Sequence, residues 1–502
     1  MSPADAEPRV AAPAEQEPDL VGSPAAGPAA LRGSALRSGG YAATVLLSLI
    51  SAPLLIRHLG IEAFGRYTTV VAIVTVISGL TDAGLLNVAL REWATRTGRD
   101  RAETMRSLLG IRIELSCAGV LVGVGFALAA GYSGVLVLGT LIAGSAMVLQ
   151  ATANLLTAGL QGELRFGWAS AIDVARQLVA VLLIVVLVLV GAGLLPFFAI
   201  TVPAGLLTLG LTAALVRARM PLRPRLRGPG RWPLVRDTVP YAAAVAVNTI
   251  YFRVTIVVMS LIATARETGY FATSFRVTEV LVGVPALAVG AAFPILSRAA
   301  REDSKRFAYA TERIIELALI AGAAVVLVVV LSAPFVIDVL AGSRGAPAAP
   351  VLQIQAIALV ATFLATAAGF PLLSLRRHGA LLLANGGALV ANIVLTVVLV
   401  PIAQAKGAAI AAVIAEGCLA VGQLTLLLRS RRLRVRLASL AAVGLAAAVG
   451  AAPLLIGGLH PLLRMAIGIA AYAAVLGLLG RIPPELTHAL HGRARPGVPN
   501  RA

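Results

Sequence analysis

Long apolar stretches fill most of this chain. There are about fourteen, and each has the ~20 residues that an α-helix needs to cross a bilayer. Of the 502 residues, 59% are hydrophobic and 13% are charged, whereas a soluble domain needs more polar surface than this. The pattern predicts an all-α integral membrane protein with about fourteen transmembrane helices.

The basic residues lie almost entirely in every second loop. Five arginines follow Leu90, the loop at Gly131–Gly134 carries no charge, and seven arginines follow Val216. Because cytoplasmic loops retain Lys and Arg, the alternation predicts a multi-pass protein of the cell membrane with both termini cytoplasmic. The net charge of +19 is explained by topology and by contact with anionic membrane lipids, so no nucleic-acid partner is expected.

The longest basic loop, Arg217–Asp237, divides the first twelve spans into two sets of six. Shifting the sequence by 212 residues aligns Arg165 with Arg377 without a gap, and a shift of 204 aligns Gly65 with Gly269. Repeats six spans apart keep the same orientation in the membrane. They predict two pseudo-symmetric six-helix bundles with a cavity between them.

The expected organisation has six parts. They are a disordered cytoplasmic tail (1–34), an N-terminal six-helix bundle (35–216), a basic cytoplasmic linker (217–237), a C-terminal six-helix bundle (238–428), helices thirteen and fourteen (429–480) and a cytoplasmic tail (481–502).

Five stretches resemble the polysaccharide-transport branch of the multidrug/oligosaccharidyl-lipid/polysaccharide flippase superfamily. They are LGIEAFGRY (59–67), GLTDAGLLNVALR (79–91), LQGELRFGWASAIDVARQ (160–177), the long run 251–298 and KGAAIAAVIAE (406–416). Their order and spacing carry the resemblance, which covers most of spans one to twelve. The match departs at Thr255, where members of the family often carry an acidic residue after the arginine of the seventh span.

The resemblance implies a flippase for oligosaccharides linked to a polyprenyl diphosphate, in which two bundles rock between inward-open and outward-open states. The glycan then enters O-antigen (lipopolysaccharide), capsule or another surface polymer. Polymerase or glycosyltransferase machinery would be its partner.

Four arginines lie inside the predicted helices, where topology does not explain them: Arg112, Arg176, Arg253 and Arg276. An intramembrane charge costs at least about 2.5 kcal/mol and usually faces a cavity or a partner. Guanidinium groups bind phosphate bidentately, so we expect Arg253, and Arg276 as a second candidate, to bind the diphosphate. The alternatives are a structural salt bridge for Arg253 and pairing of Arg276 with Glu279, three residues away on one helix face.

Further polar residues are candidates for the same site. Arg112 lies near the inner end of the third span, and Asp173 and Arg176 near that of the fifth, where reaching toward the interface is the simpler explanation. Asp82 could meet an inner-end arginine, and Asn248 precedes Arg253 by more than one turn.

Glu416 lies in the middle of the twelfth span with no basic residue nearby in sequence. A lone carboxylate at that depth is either protonated or paired, so Glu416 is a candidate for ion coupling, with an interhelical hydrogen bond as the alternative. A second group of polar residues either lines a cavity or joins helices, namely Gln150, Asn154, Asn385, Asn392 and Gln423.

Other chemistry is not indicated. Lys305 and Lys406 do not follow glycine, so neither belongs to a phosphate loop, and transport is expected to draw on ion gradients, membrane potential or product removal. The five histidines and two cysteines form no metal-ligand spacing. We expect no metal, cofactor or catalytic residue.

Three alternatives remain open. A multidrug or toxin antiporter of the same superfamily is one, although buried arginines suit an anion better than a cationic drug. A membrane enzyme is another, although it would need a large loop with acidic or metal-binding residues, and the sequence offers none. A flippase for lipid-linked peptidoglycan precursors typically carries arginine inside its first span, whereas Tyr41–Ile56 has none; spans thirteen and fourteen, however, fit that subgroup.

Overall fold

A computed structural model describes residues 26–82, 84–163, 165–226, 231–430, 437–456 and 458–481. In these residues the secondary structure is helical, with no strand. Ten of the described helices are long and apolar enough to cross a membrane, and two shorter apolar helices accompany them at Ala246–Ile262 and Ser439–Leu455. The all-α membrane fold is thus confirmed, and the count of fourteen spans stays a prediction.

The first part of the chain forms seven helices. They are α1 (Ala26–Asp82), α2 (Leu85–Thr95), α3 (Gly98–Ala129), α4 (Gly134–Gly162), α5 (Phe166–Leu189), α6 (Leu194–Ala199) and α7 (Thr201–Val216). A further seven follow: α8 (Arg231–Ile262), α9 (Ala265–Glu302), α10 (Ser304–Ala341), α11 (Ala348–Ser374), α12 (His378–Ser430), α13 (Leu437–Ala451) and α14 (Pro461–Leu478).

Two of these helices contain a sharp kink and are long enough to cross the membrane twice. Helix α1 turns at Gly60, where φ is 77°, and α12 turns at Gln404, where φ is 53°. Helix α1 ends at Asp82, and Gly84 with φ 65° precedes α2, so the predicted second span is broken near its basic end. Glycine adopts positive φ without steric cost, whereas Gln404 adopts it at a steric cost because it has a Cβ atom.

The helix ends also bear on the expected tails and linker. Helix α1 begins at Ala26, so residues 26–34, expected to be disordered, are helical. Helix α8 begins at Arg231 and includes the end of the expected linker 217–237. Residues 1–25 and 482–502, which hold most of the two predicted tails, lie outside the described residues.

The helices pack as two groups that meet along α1. Helices α3, α4 and α5 pack against α1, and α7 packs against α4 and α5, while α9, α10, α11 and α12 pack together with α8. Helix α1 also contacts α8 and α9, and so joins the two groups. Helices α13 and α14 pack against α10, where Tyr472 donates a hydrogen bond to the carbonyl of Ile320 over 2.8 Å.

At the end of the bundle opposite to the basic loops, called the far end below, α1 and α9 cross at backbone contact. A Cβ atom on Gly65 would lie 2.0 Å from the carbonyl oxygen of Ala265, and one on Gly269 would lie 2.0 Å from that of Ile61. The two contacts are related by the same shift of 204 residues that aligns the glycines in the sequence. Only glycine permits this approach, since real Cβ atoms do not come so close to a carbonyl oxygen.

The chain that follows α7 lies across the basic end of α3. The amide of Arg225 donates to the carbonyl of Arg106 over 2.8 Å, and a Cβ on Gly110 would lie 2.1 Å from the carbonyl oxygen of Arg225. Met220 is fully buried in the core formed by α2, α3 and α4. The start of the basic linker is therefore fixed to the first group of helices.

Candidate functional site

A cavity of about 490 Å³ lies between the two groups of helices. Its polar lining comes from both groups: Ser48, Ser51, Gln150, Arg176 and Gln177 from one, and Arg253, Arg276 and Glu279 from the other. Apolar side chains such as Phe64, Ile256 and Phe275 fill the wall between them. We call this space the central cavity.

Glu279 holds two arginines of the central cavity at once. Its Oε1 forms an ion pair with Arg253 of α8, and its Oε2 lies 3.3 Å from Arg276 of the same helix, α9. Arg276 also donates to the hydroxyl of Ser48 on α1 over 2.6 Å, and Arg253 lies over the ring of Phe275 at 5.6 Å. The i, i+3 pairing of Arg276 with Glu279 that the sequence suggested is present, and Arg253 shares the same carboxylate.

Arg176 of α5 is the arginine of the central cavity that has no ion pair with any described residue. Its Nε is buried without a hydrogen-bond partner. An unpaired guanidinium in a membrane protein is costly unless it faces a cavity or a ligand. The position of Arg176 in the cavity wall therefore makes it a candidate to bind an anionic ligand. The sequence-based expectation had placed Arg176 near the membrane interface.

The central cavity therefore carries more positive than negative charge. Arg176, Arg253 and Arg276 line it together with one carboxylate, that of Glu279. Guanidinium groups are planar forks of donors that match the oxygens of phosphate and carboxylate. Chemically, the cavity is suited to an anion with several oxygens, and Ser48 and Gln177 add neutral donors and acceptors beside it.

Arg112 is held inside the first group of helices and does not line the central cavity. It is 3% exposed, forms an ion pair with Asp82 at 2.9 Å and donates to the carbonyls of Thr81 and Ala151. Asp82 thus meets an inner-end arginine, as the sequence suggested. Arg112 does not reach toward the interface, because three acceptors hold it in the interior.

The other predicted site residues are divided between the two groups of helices. Asp82 and Arg112 line a cavity of about 530 Å³ that also includes Gln150. Asp173 lines a smaller one of about 160 Å³. Asn248 lines a separate cavity of about 630 Å³ among α8, α9, α11 and α12. The eight candidates for substrate binding are therefore spread over four cavities.

Glu416 lines the same cavity as Asn248 and is 8% exposed. Its Oε2 accepts a hydrogen bond from the hydroxyl of Thr362 over 2.9 Å, and Tyr251 lines the same cavity. No described basic residue forms an ion pair with it. Among the described residues, no group of three His, Cys, Asp or Glu side chains is placed to hold a metal ion.

The structure separates the polar residues that the sequence left ambiguous. Asn392 donates to the hydroxyl of Thr255 over 3.0 Å and so joins α12 to α8. Gln150 and Asn154 line the cavity of Asp82 and Arg112, and Asn385 and Gln423 line the cavity of Glu416.

A family model for polysaccharide biosynthesis proteins matches residues 30–300, more than half of the chain. The chain belongs to this family. The match spans α1 to α8 and most of α9, and so includes the three arginines of the central cavity. No curated protein sequence matches the chain.

Solved structures share the fold of this family member at low sequence identity. The lipid II flippase MurJ in an inward closed conformation is 14% identical, with a TM-score of 0.74 over 91% of this chain and all of that one. A multidrug resistance MATE family transporter is 17% identical in its inward-facing conformation, with a TM-score of 0.65 over 77% of this chain and 94% of that one. Together with the family model, this shared fold confirms the predicted flippase superfamily, and its polysaccharide-transport branch stays a prediction.

Sequence reasoning missed several residues of the family member's cavities. Ser48 and Gln177 are uncharged residues whose neighbours in sequence do not show that they face a cavity, although Gln177 directly follows Arg176. The polar residues of α4, in contrast, recur at helical spacing from Gln150 to Gln161, and that periodicity could have identified a cavity-facing side.

Proposed function

We propose that this protein is a flippase that moves oligosaccharides linked to a polyprenyl diphosphate across the cell membrane for surface polysaccharide synthesis. The observation that carries the proposal is the charge of the central cavity, where Arg176, Arg253 and Arg276 face one carboxylate. A diphosphate is a compact anion that needs several guanidinium donors. A cationic drug would be repelled by the same side chains.

The proposed cycle has three parts. The diphosphate binds Arg176, Arg253 and Arg276 while the cavity is open at the basic end, which we take to be cytoplasmic. The two groups of helices then rock about α1, separating at the Gly65–Gly269 crossing. The sugars pass to the far side with the diphosphate, and the prenyl chain stays in the lipid.

The test is flipping of a fluorescent polyprenyl-diphosphate oligosaccharide by the purified protein in liposomes. Arg176→Ala and Arg253→Ala are each expected to slow flipping at least about tenfold, because a charge-assisted contact contributes ~1.5–3 kcal/mol. Arg298→Ala is the matched control, since Arg298 pairs with Glu302 on the exposed basic end of α9. Wild-type rates in both cavity variants would contradict the proposed anion site.

A flippase for lipid-linked peptidoglycan precursors is a second candidate. Two observations favour it: the similarity to the lipid II flippase extends over 91% of this chain, and α13 and α14 pack against α10. Both candidates share the polyprenyl diphosphate. Parallel assays with a peptide-bearing precursor and with a peptide-free oligosaccharide distinguish them, because a specific flippase moves one and not the other.

Glu416 is proposed as the ion-coupling residue. Its carboxylate accepts a hydrogen bond from the hydroxyl of Thr362 and has no ion pair with a described basic residue, so it can gain or lose a proton without breaking an ion pair. If protonation of Glu416 drives the cycle, Glu416→Gln removes the stimulation of flipping by a pH gradient and leaves the rate without a gradient nearly unchanged. If the position of the carboxylate matters, adding Gln423→Glu to the Glu416→Gln variant does not restore the stimulation by the pH gradient.

A further inference from the structure

One side of helix α4 carries a row of polar side chains. Gln150, Asn154, Thr157 and Gln161 follow at spacings of four, three and four residues, which places them on one face of an α-helix. Between Ala151 and Leu160 the side chains that are not buried are those of Thr152, Asn154 and Thr157. The polar residues are therefore the ones that α4 exposes, although the helix is otherwise packed into the bundle.

These side chains connect three cavities in sequence. Gln150 lines the central cavity, the cavity of Asp82 and Arg112 and the cavity of Asp173, and Asn154 lines the latter two. Thr157 and Gln161 line the cavity that contains Asp173. From Gln150 to Gln161 the row is about 16 Å long, and it runs from the central cavity toward the basic end.

Part of the hydrogen-bonding capacity of this row is unused, above all at Gln150 and Asn154. The side-chain amides of Gln150 and Asn154 form no hydrogen bond with another described residue, whereas Asn392 of α12 is bonded to Thr255. The hydroxyl of Thr157 donates to the backbone carbonyl of Asn154 over 2.6 Å and accepts from the amide of Gln161 over 3.0 Å, which leaves one lone pair of Thr157 and the carbonyl oxygen of Gln161 available. A carboxamide offers two donors and one acceptor, and leaving them without partners away from bulk water is unfavourable.

The charge along the row differs from that of the central cavity. Two cavities adjoin the row besides the central cavity: that of Asp82 and that of Asp173. Among the described residues, Arg112 is the one basic residue that lines either of them; it lies in the cavity of Asp82 and is already paired with that carboxylate. Asp82 is the carboxylate of that ion pair, and the remaining polar lining is mostly amides and hydroxyls, such as Gln150, Asn154 and Thr157. Among the described residues that line these two cavities, no guanidinium group is left for a phosphate, whereas the amides and hydroxyls suit a neutral ligand rich in hydroxyl groups.

We propose that the polar row of α4 binds the sugar hydroxyls of the transported glycan while the arginines of the central cavity hold its diphosphate. The proposal rests on the proposed flippase function and adds a glycan-binding branch to its site. Gln150 stands where the anionic and the neutral parts of the ligand meet. Sugars beyond the first enter the first group of helices and contact Asn154, Thr157 and Gln161 in turn.

The experiment compares two fluorescent substrates that share the polyprenyl diphosphate, one with a single sugar and one with a longer oligosaccharide. Asn154→Leu and Thr157→Val are reconstituted beside the wild-type protein. We expect each variant to slow flipping of the longer substrate about fivefold or more, the effect of a lost hydrogen bond, and to leave the single-sugar rate within about twofold of wild type. Thr157→Val keeps the shape of the side chain and guards against misfolding of the leucine variant.

Asn385→Leu is the matched control, because Asn385 is an amide that lines the cavity of Glu416; it should leave the ratio of the two rates unchanged. Equal rate ratios in wild type, Asn154→Leu and Thr157→Val would overturn the glycan-binding branch while the flippase function stands. Failure of the wild-type protein to flip either substrate would instead overturn the proposed function.

Discussion

Glu279 determines how much positive charge the central cavity presents to an anion. Its carboxylate pairs with Arg253 and Arg276 together, so Glu279→Gln releases two guanidinium groups. We expect this variant to bind a polyprenyl diphosphate about tenfold more tightly, ~1.4 kcal/mol, and to flip it more slowly because the anion leaves less readily. Equilibrium binding and flipping rates, measured on the same preparation, check both effects.

The control for this prediction is Glu302→Gln, which removes an exposed carboxylate that pairs with Arg298 on the same helix. It should change neither binding nor rate. Weaker binding by Glu279→Gln would mean that Glu279 orients the arginines more than it neutralises them.

Asp82 and Arg112 form a structural pair, because Arg112 is enclosed by acceptors. Removing one partner of a buried ion pair leaves an uncompensated charge, so Asp82→Asn is expected to lower the stability of the folded protein by about 3 kcal/mol. The thermal unfolding midpoint in detergent measures this loss. Flipping by the folded fraction should stay near the wild-type rate with a single-sugar substrate, and a normal midpoint with a lost rate would assign the pair to the substrate site.

At the residue scale, the sequence indicates which charges lie inside helices better than it indicates their partners. Topology does not explain Arg253 and Arg276, and both line the central cavity. That Glu279 bridges the two depends on how α8 packs against α9, and no spacing within one helix contains this information. Arg176 was expected near the interface because its depth was judged from sequence position alone.

Among the helices, α12 stores backbone strain at its kink. Gln404 has φ 53° and ψ −133°, a conformation that costs a residue with a side chain about 1–3 kcal/mol and glycine little. Gln404→Gly is therefore expected to raise the stability of the fold by about 1 kcal/mol, measured as a higher thermal unfolding midpoint. Lys406→Gly, two residues further along the helix, should lower it by a similar amount, because glycine is unfavourable in a regular helix.

The kink is also held by a contact from another helix. The carboxylate of Glu267 on α9 accepts a hydrogen bond from the amide of Ala405 over 3.1 Å, which caps the second half of α12. If Gln404→Gly lowered the stability, the cap from Glu267 and the loss of chain freedom at Gln404 would outweigh the strain.

Helical periodicity and length located the elements well, because apolar runs of this size have few alternatives in a bilayer. The break near Gly84 and the kinks at Gly60 and Gln404 were harder to predict. An isolated glycine or glutamine in an apolar run does not reveal whether the helix continues through it, and neighbouring helices decide the matter.

For the molecule as a whole, the crossing of α1 and α9 closes the far end. Adding a single methyl group at Gly65 or Gly269 would bring it within 2.0 Å of a carbonyl oxygen, and such overpacking costs about 1–3 kcal/mol. We expect Gly65→Ala to shift the population toward a state open at the far end. A cysteine replacing Thr68, which lines the central cavity, should then react faster with an impermeant maleimide added from that side.

The labelling experiment needs Cys117 and Cys418 replaced first, since both are exposed. Gly269→Ala should give the same result as Gly65→Ala, because the two contacts mirror each other. Gly125→Ala is the matched control, as a Cβ there meets no atom within 4 Å. Unchanged labelling in both crossing variants would show that the crossing does not control access.

At this scale the internal repeat was the most productive sequence observation. The shift of 204 residues that aligned Gly65 with Gly269 also relates the two backbone contacts that the structure shows. The cavities of Asp82 and Asp173 and the polar row of α4 could not be derived in the same way, because the volume between helices depends on crossing angles that no single sequence pattern encodes.

The contact between Arg225 and Gly110 sets a limit on motion. Arg225 is fixed to α3, and α8 begins only six residues later at Arg231; a chain of that length reaches at most about 20 Å when fully extended. The linker is therefore a short tether between α3 and α8. However the two groups of helices rock, the start of α8 cannot move further from Arg225 than the tether allows, which limits the opening of the cavity at the basic end. A bulkier headgroup could enter there only if the contact of Arg225 with Gly110 were broken first.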